Sequence, residues 1–412
     1  MSEYRVYMAP ETFFPLMGGS ERQALLQSAY LRAQGIETTI ITLHFQRESL
    51  ASEVLEGVPI LRVGGRVLAW HDHLPGILRR VCYLLALCIF GWRLWRCRHA
   101  YDVLHVFQLS VFTLPALFIC RLARKPLIVS MRNDIPPFEG EKRVRSWNGL
   151  EGLARLGRPA LHLIDHQLRL AGACIVVLST RMRESLERYG LVGTAIRVLP
   201  NGVDTASFAP QPEQEAELPT VVCVAQFRYQ KGIDVLLHAW RLLIEQLPYA
   251  RLLLVGDGPL FAQMQGLSLA LGISGSVEFA GQCANVAQHY RRGRIAVLPS
   301  RWEGMPNALL EAMACGRACV ATRVSGSEDL LCQEKSGLLV EPGDRDALAK
   351  ALWLLLTEPE LARRYGQAAR QHVEQHYTLA RIMEQHKALY KELLATFRQE
   401  RALEAGVSGI GH

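Results

Sequence analysis

Short apolar runs, many of them β-branched, alternate with helical patterns along the whole chain. In the first half these runs predict strands at residues 4–9, 38–42, 102–107, 126–131 and 174–179. In the second half they predict strands at residues 220–225, 251–256, 277–281, 295–300 and 318–322. The runs are apolar on both faces, which is typical of parallel strands covered by helices on each side. The alternation therefore predicts an α/β protein with two doubly wound parallel sheets in tandem.

Residues 209–219, APQPEQEAELP, are proline-rich and acidic and lack apolar periodicity, so they are predicted to be a linker. We expect an N-terminal domain over residues 1–208 and a C-terminal domain over residues 220–378. The segment 379–412 is expected to form a C-terminal helix and tail. Its helical part, about 379–404, is long and charged and is expected to pack on the second domain.

Residues 77–98, ILRRVCYLLALCIFGWRLWRCR, predict a helix with arginines and tryptophans at its ends. Its uncharged stretch, 81–92, is far short of the ~20 residues that a membrane span requires. The composition suits the interface of a bilayer that contains anionic lipids. The alternative is a core helix of the first domain whose arginines extend to solvent. The arginines and tryptophans concerned are Arg79, Arg80, Arg93, Arg96, Arg98, Trp92 and Trp95.

The length of 412 residues favours two domains, and the net charge of +7 permits an anionic substrate or surface. There is no long basic run and no zinc-finger or RNA-binding signature, so we expect no nucleic-acid partner. The ten cysteines are scattered without a C-x-x-C pair, which argues against zinc and for reduced thiols. The first residues are predicted to be a strand rather than a signal peptide, so we expect a cytoplasmic protein.

The segment RWEGMPNALLEAMACG holds two carboxylates, Glu303 and Glu311, at the end of a predicted strand and in the helix that follows. Pro306 can open that helix. Unpaired amides and the helix dipole make its start a predicted anion site. Carboxylates accept strong hydrogen bonds from sugar hydroxyls. The alternative is that Glu303 stabilises its own helix and Glu311 belongs to a buried ion pair. The predicted ligand-binding residues at the helix start are Gly304, Met305, Pro306, Asn307, Ala308 and Leu309.

Two further loops are candidates for ligand contact. Arg228 and Lys231 follow the first strand of the second half, where two cations could hold a pyrophosphate or simply be solvated. Gly18 and Gly19 follow the first strand of the chain and precede a helix that we expect Ser20 to cap. Two glycines allow a backbone to approach a ligand closely, although an ordinary turn between strand and helix also favours glycine.

Five motifs stand in order along the second half: PNGVD at 200–204, QKGID at 230–234, GDGP at 256–259, EGMPN at 303–307 and SGLLVEPGD at 336–344. Together with the E-x7-E pair Glu303 and Glu311, this order resembles the retaining glycosyltransferases of family four. The resemblance is dense over residues 196–352 and looser before them. It implies the GT-B architecture, in which two Rossmann-like domains face each other.

The resemblance also implies a nucleotide-diphosphate sugar as donor, with the N-terminal domain binding the acceptor and the C-terminal domain binding the nucleotide sugar, and it gives roles to residues. Glu311 is expected to accept hydrogen bonds from the ribose hydroxyls and Glu303 to contact the transferred sugar. Lys231 is expected to neutralise the pyrophosphate, which Gly19 approaches from the first domain. The amides of residues 304–309 are expected to contact sugar hydroxyls and phosphate. Fixed cations then do the work of a metal, so no metal and no cofactor are expected.

Two departures from the family pattern concern charged side chains. Gln226 stands where the family carries a phosphate-binding arginine, and we hypothesise that Arg228 takes over this task. Arg132 stands where many relatives carry a histidine, and His105 lies two residues before another such place, Phe107. Arg132 and Asp134 either bind an anionic or hydroxylated acceptor or pair with each other.

The expected activity is transfer of a hexosyl unit to an acceptor hydroxyl with retained configuration. The expected acceptor is a lipid-linked or surface-polysaccharide precursor at the inner membrane face, with an anionic membrane surface as partner. Three alternatives remain: a soluble transferase for a small metabolite, a sugar-nucleotide epimerase on the same architecture, and a catalytically silent sugar-nucleotide binder.

Overall fold

The computed structural model describes residues 3–14, 18–45, 49–68, 75–132, 158–188, 190–283 and 285–408. The chain forms two compact units. The first unit comprises Met1–Leu199 together with Met383–His412, and the second comprises Pro200–Ile382. Each unit is built around its own sheet, as the alternating pattern predicts.

The first unit contains an eight-stranded sheet in the order β3-β4-β2-β1-β5-β6-β7-β8. Neighbouring strands are parallel except β3 and β4, which pair antiparallel. The strands are β1 (Arg5–Ala9), β2 (Glu37–Leu43), β3 (Ser52–Leu55), β4 (Val58–Val63), β5 (Val103–Val106), β6 (Leu127–Ser130), β7 (Cys174–Val177) and β8 (Ala195–Val198).

Helices connect these strands and cover both faces of the sheet. They are α1 (Gly19–Ala33), α2 (Gly65–Leu68), α3 (Gly76–Arg96), α4 (Thr113–Ala123), α5 (Arg158–Leu170) and α6 (Thr180–Arg188). Crossovers between parallel strands are right-handed. Helix α1 connects β1 to β2, in one direction along the strand order, whereas α3, α4 and α5 connect their strands in the opposite direction. With right-handed crossovers, α1 therefore covers one face of the sheet and the other three helices cover the opposite face.

The second unit contains a six-stranded, wholly parallel sheet in the order β11-β10-β9-β12-β13-β14. Its strands are β9 (Thr220–Val224), β10 (Arg251–Val255), β11 (Val277–Gly281), β12 (Ile295–Leu298), β13 (Ala318–Thr322) and β14 (Gly337–Val340). Its helices are α7 (Ile233–Ile244), α8 (Phe261–Ala270), α9 (Val286–Arg292), α10 (Asn307–Ala314), α11 (Ser325–Leu330), α12 (Arg345–Thr357) and α13 (Pro359–His376). The final helix, α14 (Leu379–Ser408), begins in this unit.

The predicted fold class of two doubly wound parallel sheets is confirmed. Every predicted strand is present, within two residues of its expected bounds. The sequence did not predict β3, β4, β8 and β14. Three of these, β3, β8 and β14, lie at sheet edges. The edge strands β3 and β8 alternate between exposed and half-buried residues, so they lack the apolar faces by which the interior strands were found.

The C-terminal helix corrects one expectation, because from Met383 onward it belongs to the first unit rather than packing on the second. Tyr390 of α14 is fully buried, and its hydroxyl lies 2.9 Å from Nδ1 of His105 on β5. Arg197 donates to Glu392 at 2.9 Å. A buried polar contact and an ion pair therefore fix the helix to the first sheet.

Residues 209–219 lie inside the second unit. Glu215 accepts hydrogen bonds from Arg294 at 3.1 Å and from the largely buried Arg317 at 3.2 Å. Ala216 donates its amide to the carbonyl of Arg292 at 3.0 Å. The acidic residue that made this segment look like a solvated linker is thus an ion-pair partner within the unit.

Gly366 of α13 offers a test of the close packing in the second unit. A Cβ atom at this position would lie 2.1 Å from the carbonyl oxygen of Gly316, whereas a Cβ at Gly266 of α8 would meet no atom within 4 Å. We expect Gly366→Ala to lower the free energy of unfolding by about 1–3 kcal/mol, since a backbone must move. Gly266→Ala is expected to raise it by up to about 1 kcal/mol through helix propensity. Urea unfolding measures both, and equal shifts of the same sign would contradict the packing.

Candidate active site

The second sheet reverses its strand order between β9 and β12. From β9 the chain continues to β10 and β11 on one side, and then to β12, β13 and β14 on the other. In open α/β sheets ligands bind outside the carboxyl ends of the strands at this switch point. The loops after β9 and after β12, residues 225–232 and 299–306, lie there and carry most of the residues that the sequence predicted.

Backbone and side-chain hydrogen bonds hold these two loops together. The amide of Arg301 donates to the carbonyl of Gln230 at 2.7 Å, and the side chain of Gln230 donates to the carbonyl of Trp302 at 2.9 Å. The guanidinium of Arg301 donates to the carbonyl of Tyr229 at 2.7 Å and lies 4.0 Å from the centre of its ring. Each loop therefore fixes the conformation of the other.

A bidentate ion pair ties the same arginine to the first turn of α7. Arg301 donates to the two carboxylate oxygens of Asp234 at 2.9 and 2.7 Å. Burial alone would raise the pKa of Asp234, but the hydrogen bonds and charge of Arg301 outweigh it and lower this pKa below its usual value. A lowered pKa means that the pair stabilises the fold at neutral pH and loses this contribution as the pH falls through the acidic range.

Lys231, which was predicted to neutralise the pyrophosphate, and Glu303, which was predicted to contact the transferred sugar, are in direct contact. The ammonium of Lys231 donates to Oε1 of Glu303, which also accepts a hydrogen bond from the hydroxyl of Ser300 at 2.7 Å. Glu303 is 5% exposed, and the side chain of Lys231 is 20% exposed. The charged pair is therefore largely desolvated, which strengthens its electrostatic attraction.

Gly232 allows the loop with Lys231 to approach the loop with Glu303. Its φ angle is +63°, in the left-handed region. A Cβ atom there would lie 2.0 Å from the carbonyl oxygen of Pro299, the residue before Ser300. Only glycine fits this place, which explains the glycine of the QKGID motif in structural terms.

Asn201, which sequence reasoning did not assign to the site, fastens the loop that follows Glu303. Its side-chain amide donates to the carbonyl of Met305 at 3.3 Å and to Oδ1 of Asn307 at 2.8 Å. Asn201 is 3% exposed. The available signal was its place in the PNGVD motif, but nothing in the sequence showed that this motif meets EGMPN.

The start of α10 departs in one detail from the predicted anion site. Pro306 occupies the cap position, and the amide of Leu309 donates to its carbonyl at 3.1 Å, so Leu309 offers no free amide. Within the described part of the chain, the amides of Gly304, Met305 and Ala308 donate to no other residue. The donors that remain for an anion or a sugar hydroxyl are therefore fewer than predicted.

Glu311 lies one turn into α10 and is 7% exposed, as its small and apolar sequence neighbours suggested. The hydroxyl of Tyr290 on α9 lies 3.5 Å from its Oε2 and donates to the carbonyl of Ala308 at 2.9 Å. The tyrosine therefore links the carboxylate to the first turn of its own helix.

Arg228 lies on the same loop as Lys231 and is exposed. Its amide donates to the carbonyl of Gln226 at 2.8 Å, and its carbonyl accepts from the amide of Lys231 at 2.9 Å. Among the described residues its guanidinium has no ion-pair partner. That it replaces the missing arginine at Gln226 stays a prediction.

In the first unit, the helix that follows β1 is capped by a different residue from the one expected. Helix α1 begins at Gly19, and Gly18 is its cap residue, so Ser20 does not cap it. The amide of Gly18 donates to the carboxylate of Glu21 at 2.9 Å, and the hydroxyl of Ser20 donates to the same carboxylate at 2.8 Å. The carboxylate of Glu21 therefore accepts the hydrogen bonds of the residues at the start of the helix.

The first sheet has its own switch point, between β1 and β5, and a buried carboxyl that sequence reasoning missed lies there. Glu11, 8% exposed, accepts hydrogen bonds from the hydroxyls of Tyr83 on α3 at 2.6 Å and of Ser110 at 3.2 Å. Burial raises the pKa of Glu11, although both hydroxyls oppose this shift. No sequence motif marks it.

His105 and Arg132, which were considered from the sequence for the acceptor side, make contacts inside the first unit. His105 is fully buried, with Nδ1 at 2.9 Å from the hydroxyl of Tyr390 and Nε2 at 2.7 Å from that of Ser130. Burial lowers the pKa of His105 well below its usual value. The guanidinium of Arg132 lies 4.7 Å from the centre of the Phe107 ring, and burial lowers the pKa of Arg132 to about 10. Asp134 lies outside the described residues.

Two family models match successive parts of the chain. A model described as "Glycosyl transferases group 1" matches residues 205–372, and one described as "Glycosyltransferase Family 4" matches residues 17–207. The chain belongs to the family 4 glycosyltransferases. Between them, the two matches cover residues 17–372, which include every strand of both sheets except β1 and all of the predicted site residues.

Individual relatives match this glycosyltransferase over different lengths. The sulfoquinovosyl transferase SQD2 of Arabidopsis thaliana is 26% identical over 84% of this chain and 65% of its own length. A GDP-mannose-dependent α-(1-6)-phosphatidylinositol monomannoside mannosyltransferase of Mycolicibacterium smegmatis is 32% identical over 43% of this chain and 51% of its own. The chain thus spans between half and two thirds of these relatives.

Among solved structures, HepE of Anabaena in complex with UDP and glucose is similar, with a TM-score of 0.74 at 16% identity. The match covers 95% of this chain and 100% of the HepE chain. This likeness confirms the GT-B fold class of the glycosyltransferase. Within the described ranges, no helix is both long enough and apolar enough to cross a membrane.

The Lys231–Glu303 pair can be tested by a double-mutant cycle on the free energy of unfolding. We expect Lys231→Met to destabilise the protein because it leaves the buried Glu303 carboxylate without its cation. Adding Glu303→Gln should recover part of the loss, with a coupling energy of about 1–3 kcal/mol.

The matched control is the ion pair of Arg292 and Glu278, whose side chains are 41% and 53% exposed. Exposed pairs are screened by water, so its coupling is expected below about 1 kcal/mol. A Lys231–Glu303 coupling no larger than that of the control would contradict the desolvated contact.

Proposed function

We propose that this family 4 glycosyltransferase moves a hexosyl unit from a nucleotide-diphosphate sugar to an acceptor hydroxyl, with retention of configuration. The observation that carries the proposal is the contact of Lys231 with Glu303 at the switch point of the second sheet. Glu311 lies one turn into α10, the helix that follows the loop with Glu303. A cation for a diphosphate and carboxylates for hydroxyl groups are the side chains that such a donor requires.

The proposed chemistry uses charges that are already in place. When the nucleoside diphosphate departs, negative charge builds on its phosphate oxygens. Lys231, with the amides of Gly304, Met305 and Ala308, would stabilise that charge in the transition state. As Lys231 turns toward the diphosphate, Glu303 keeps its hydrogen bond from Ser300 and becomes able to accept hydrogen bonds from the transferred sugar.

Because Lys231 and these amides would stabilise the charge of the diphosphate, we propose that the reaction needs no resident metal and no cofactor. Glu311 is proposed to bind the ribose, and Gly18 and Gly19 to lie near the diphosphate. Support for the donor class comes from HepE, which holds UDP and glucose, and from the mycobacterial relative, whose name specifies GDP-mannose. The base and the sugar differ between these two proteins, so only the donor class is carried over.

We further propose that the acceptor is a lipid-linked or surface-polysaccharide precursor at the cytoplasmic face of a membrane. Two observations support this. Helix α3 carries arginines at both ends and exposed apolar residues between them. The mycobacterial relative is named for a phosphatidylinositol acceptor. Incubating donor without acceptor tests the epimerase alternative, because only an epimerase would then convert the sugar.

Donor binding is expected to raise the melting temperature of the protein in a panel of nucleotide sugars. A donor at 100 times its Kd adds about 2.7 kcal/mol of stability. We expect Glu311→Gln to weaken donor binding roughly tenfold or more, since a charged acceptor of hydrogen bonds is lost. Glu278→Gln, an exposed change on β11, is the control, and binding should be the same with EDTA present. Unchanged donor affinity and turnover in Glu311→Gln and Glu303→Gln would contradict the proposed function.

Asn201→Ala is expected to lower donor affinity roughly tenfold, because two hydrogen bonds that fix the loop of Met305 and Asn307 are removed. Asn201 acts through this loop as a positioning residue. The effect should therefore appear in donor affinity more than in the free energy of unfolding. Isothermal titration with the best nucleotide sugar measures it, and Gln263→Ala, an exposed change on α8, is the control. Equal affinity in both variants would remove Asn201 from the site.

A further inference from the structure

Helix α3 has one face in the core and one face in solvent. The solvent face carries a stripe of large apolar side chains that are between 47% and 76% exposed: Ile77, Val81, Leu84, Leu85 and Trp92. Ala86, Phe90 and Leu94 on the other face are fully buried. The buried residues pack the helix against the rest of the unit, and the exposed stripe takes little part in that packing.

Helix α4 repeats this arrangement beside α3. Leu114, Phe118 and Leu122 recur every fourth residue and are 46%, 67% and 56% exposed. The two helices pack directly against each other, with the rings of Phe90 and Phe112 4.5 Å apart. At Gly91 an added Cβ would lie 3.2 Å from Pro115. The apolar stripes therefore belong to neighbouring helices.

The topology places both stripes on one side of the first unit. Right-handed crossovers put α3 and α4 on the same face of the sheet, so their outward surfaces continue into each other. We call this the α3–α4 surface: Ile77, Val81, Leu84, Leu85 and Trp92 with Leu114, Phe118 and Leu122. A monomeric soluble protein rarely exposes a contiguous apolar patch of this kind without a partner.

The charges on these helices are of one sign. Neither α3 nor α4 contains an aspartate or glutamate, whereas Arg79, Arg80, Arg96 and Arg121 are exposed. The guanidinium of Arg96 lies 5.0 Å from the centre of the Trp92 ring, beside the apolar stripe. A surface with arginines and an exposed indole ring around an apolar stripe is typical of helices that lie at the boundary between anionic headgroups and acyl chains.

We propose that the α3–α4 surface docks on a bilayer that contains anionic lipids, with the stripes in the acyl boundary and the arginines at the phosphates. This proposal deepens the proposed function, since it names the surface that would meet a membrane-borne acceptor. The one-signed charge favours a lipid surface over a second copy of the chain, because two such surfaces would bring their arginines together.

The inner face of α3 connects this surface to the first switch point. Tyr83 donates its hydroxyl to Glu11 at the end of β1, and Glu11 also accepts from Ser110, which follows β5. Docking of α3 would therefore set the carboxyl ends of β1 and β5 in a fixed relation to the bilayer. In a doubly wound sheet these ends are where a ligand binds.

The test is co-sedimentation of the full chain with vesicles of phosphatidylcholine alone or of phosphatidylcholine with phosphatidylglycerol. We expect binding to the anionic vesicles that falls with salt and is weak on phosphatidylcholine. Phe118→Ser should weaken it about tenfold, since a phenyl ring is no longer buried. Arg79→Gln with Arg80→Gln should weaken binding to anionic vesicles alone. The control is Leu269→Ser on α8 of the second unit, because Leu269 is 68% exposed and Phe118 is 67% exposed.

A second readout is quenching of tryptophan emission by brominated phosphatidylcholine in the anionic vesicles, which we expect in the wild type and expect to be reduced in Trp92→Phe. Wild-type binding in both Phe118→Ser and the double arginine variant, or equal loss in Leu269→Ser, would overturn the proposal. The proposal would also be overturned if the protein did not bind vesicles but formed a concentration-dependent dimer that Phe118→Ser disrupts. Nucleotide-sugar thermal shifts of the same variants should equal the wild type, so a failed docking surface and a failed donor assignment are distinguishable.

Discussion

The contact between Lys231 and Glu303 is the interaction around which the second unit is organised. It requires two loops that are 72 residues apart in sequence to meet at one edge of the sheet. Gly232 permits the approach, Arg301 joins the loops to each other and to Asp234, and Thr322 holds the backbone of Ser300 at 2.5 Å. A desolvated ion pair stabilises little by itself, because each charge loses its hydration. It does keep a cation and a carboxylate in place, and in the proposed function the diphosphate of the donor would replace Glu303 as the partner of Lys231.

Both units have a buried glutamate at the switch point of the sheet, but the two glutamates have different partners. Each places a buried glutamate beyond the carboxyl ends of its central strands, Glu303 in the second unit and Glu11 in the first. Glu303 has an ammonium partner, whereas Glu11 accepts hydrogen bonds from two hydroxyl groups. Burial without a cation raises the pKa of Glu11. The two buried carboxyl groups therefore differ in their electrostatic surroundings, although both follow the carboxyl ends of central strands.

Interior strands could be predicted from sequence because helices on both sides force them to be apolar throughout. Edge strands such as β3 and β8 are not covered in this way, so their pattern resembles that of a loop. The positions of Lys231 and Glu303 after strands were predictable, but their contact depends on β9 lying next to β12, and periodicity does not encode strand order. The resemblance to a family supplied that step. Asn201 was missed because its partners are more than 100 residues away and its own side chain carries no charge.

Helix α3 shows why a hydrophobic pattern alone left two interpretations open. A helix that is apolar on most of its circumference suits either a core or a membrane interface. The structure shows that α3 has both features, since Phe90 and Leu94 are in the core while Ile77 and Trp92 are in solvent. Helix α4, with Arg121 as its one charged residue, looks like a buried helix in the sequence, yet Phe118 is largely exposed. What the sequence could not show is that the two exposed stripes lie side by side, because that follows from the sheet order and the handedness of the crossovers. The arginines at the ends of α3 are then explained by the surface that both helices share rather than by the packing of either one.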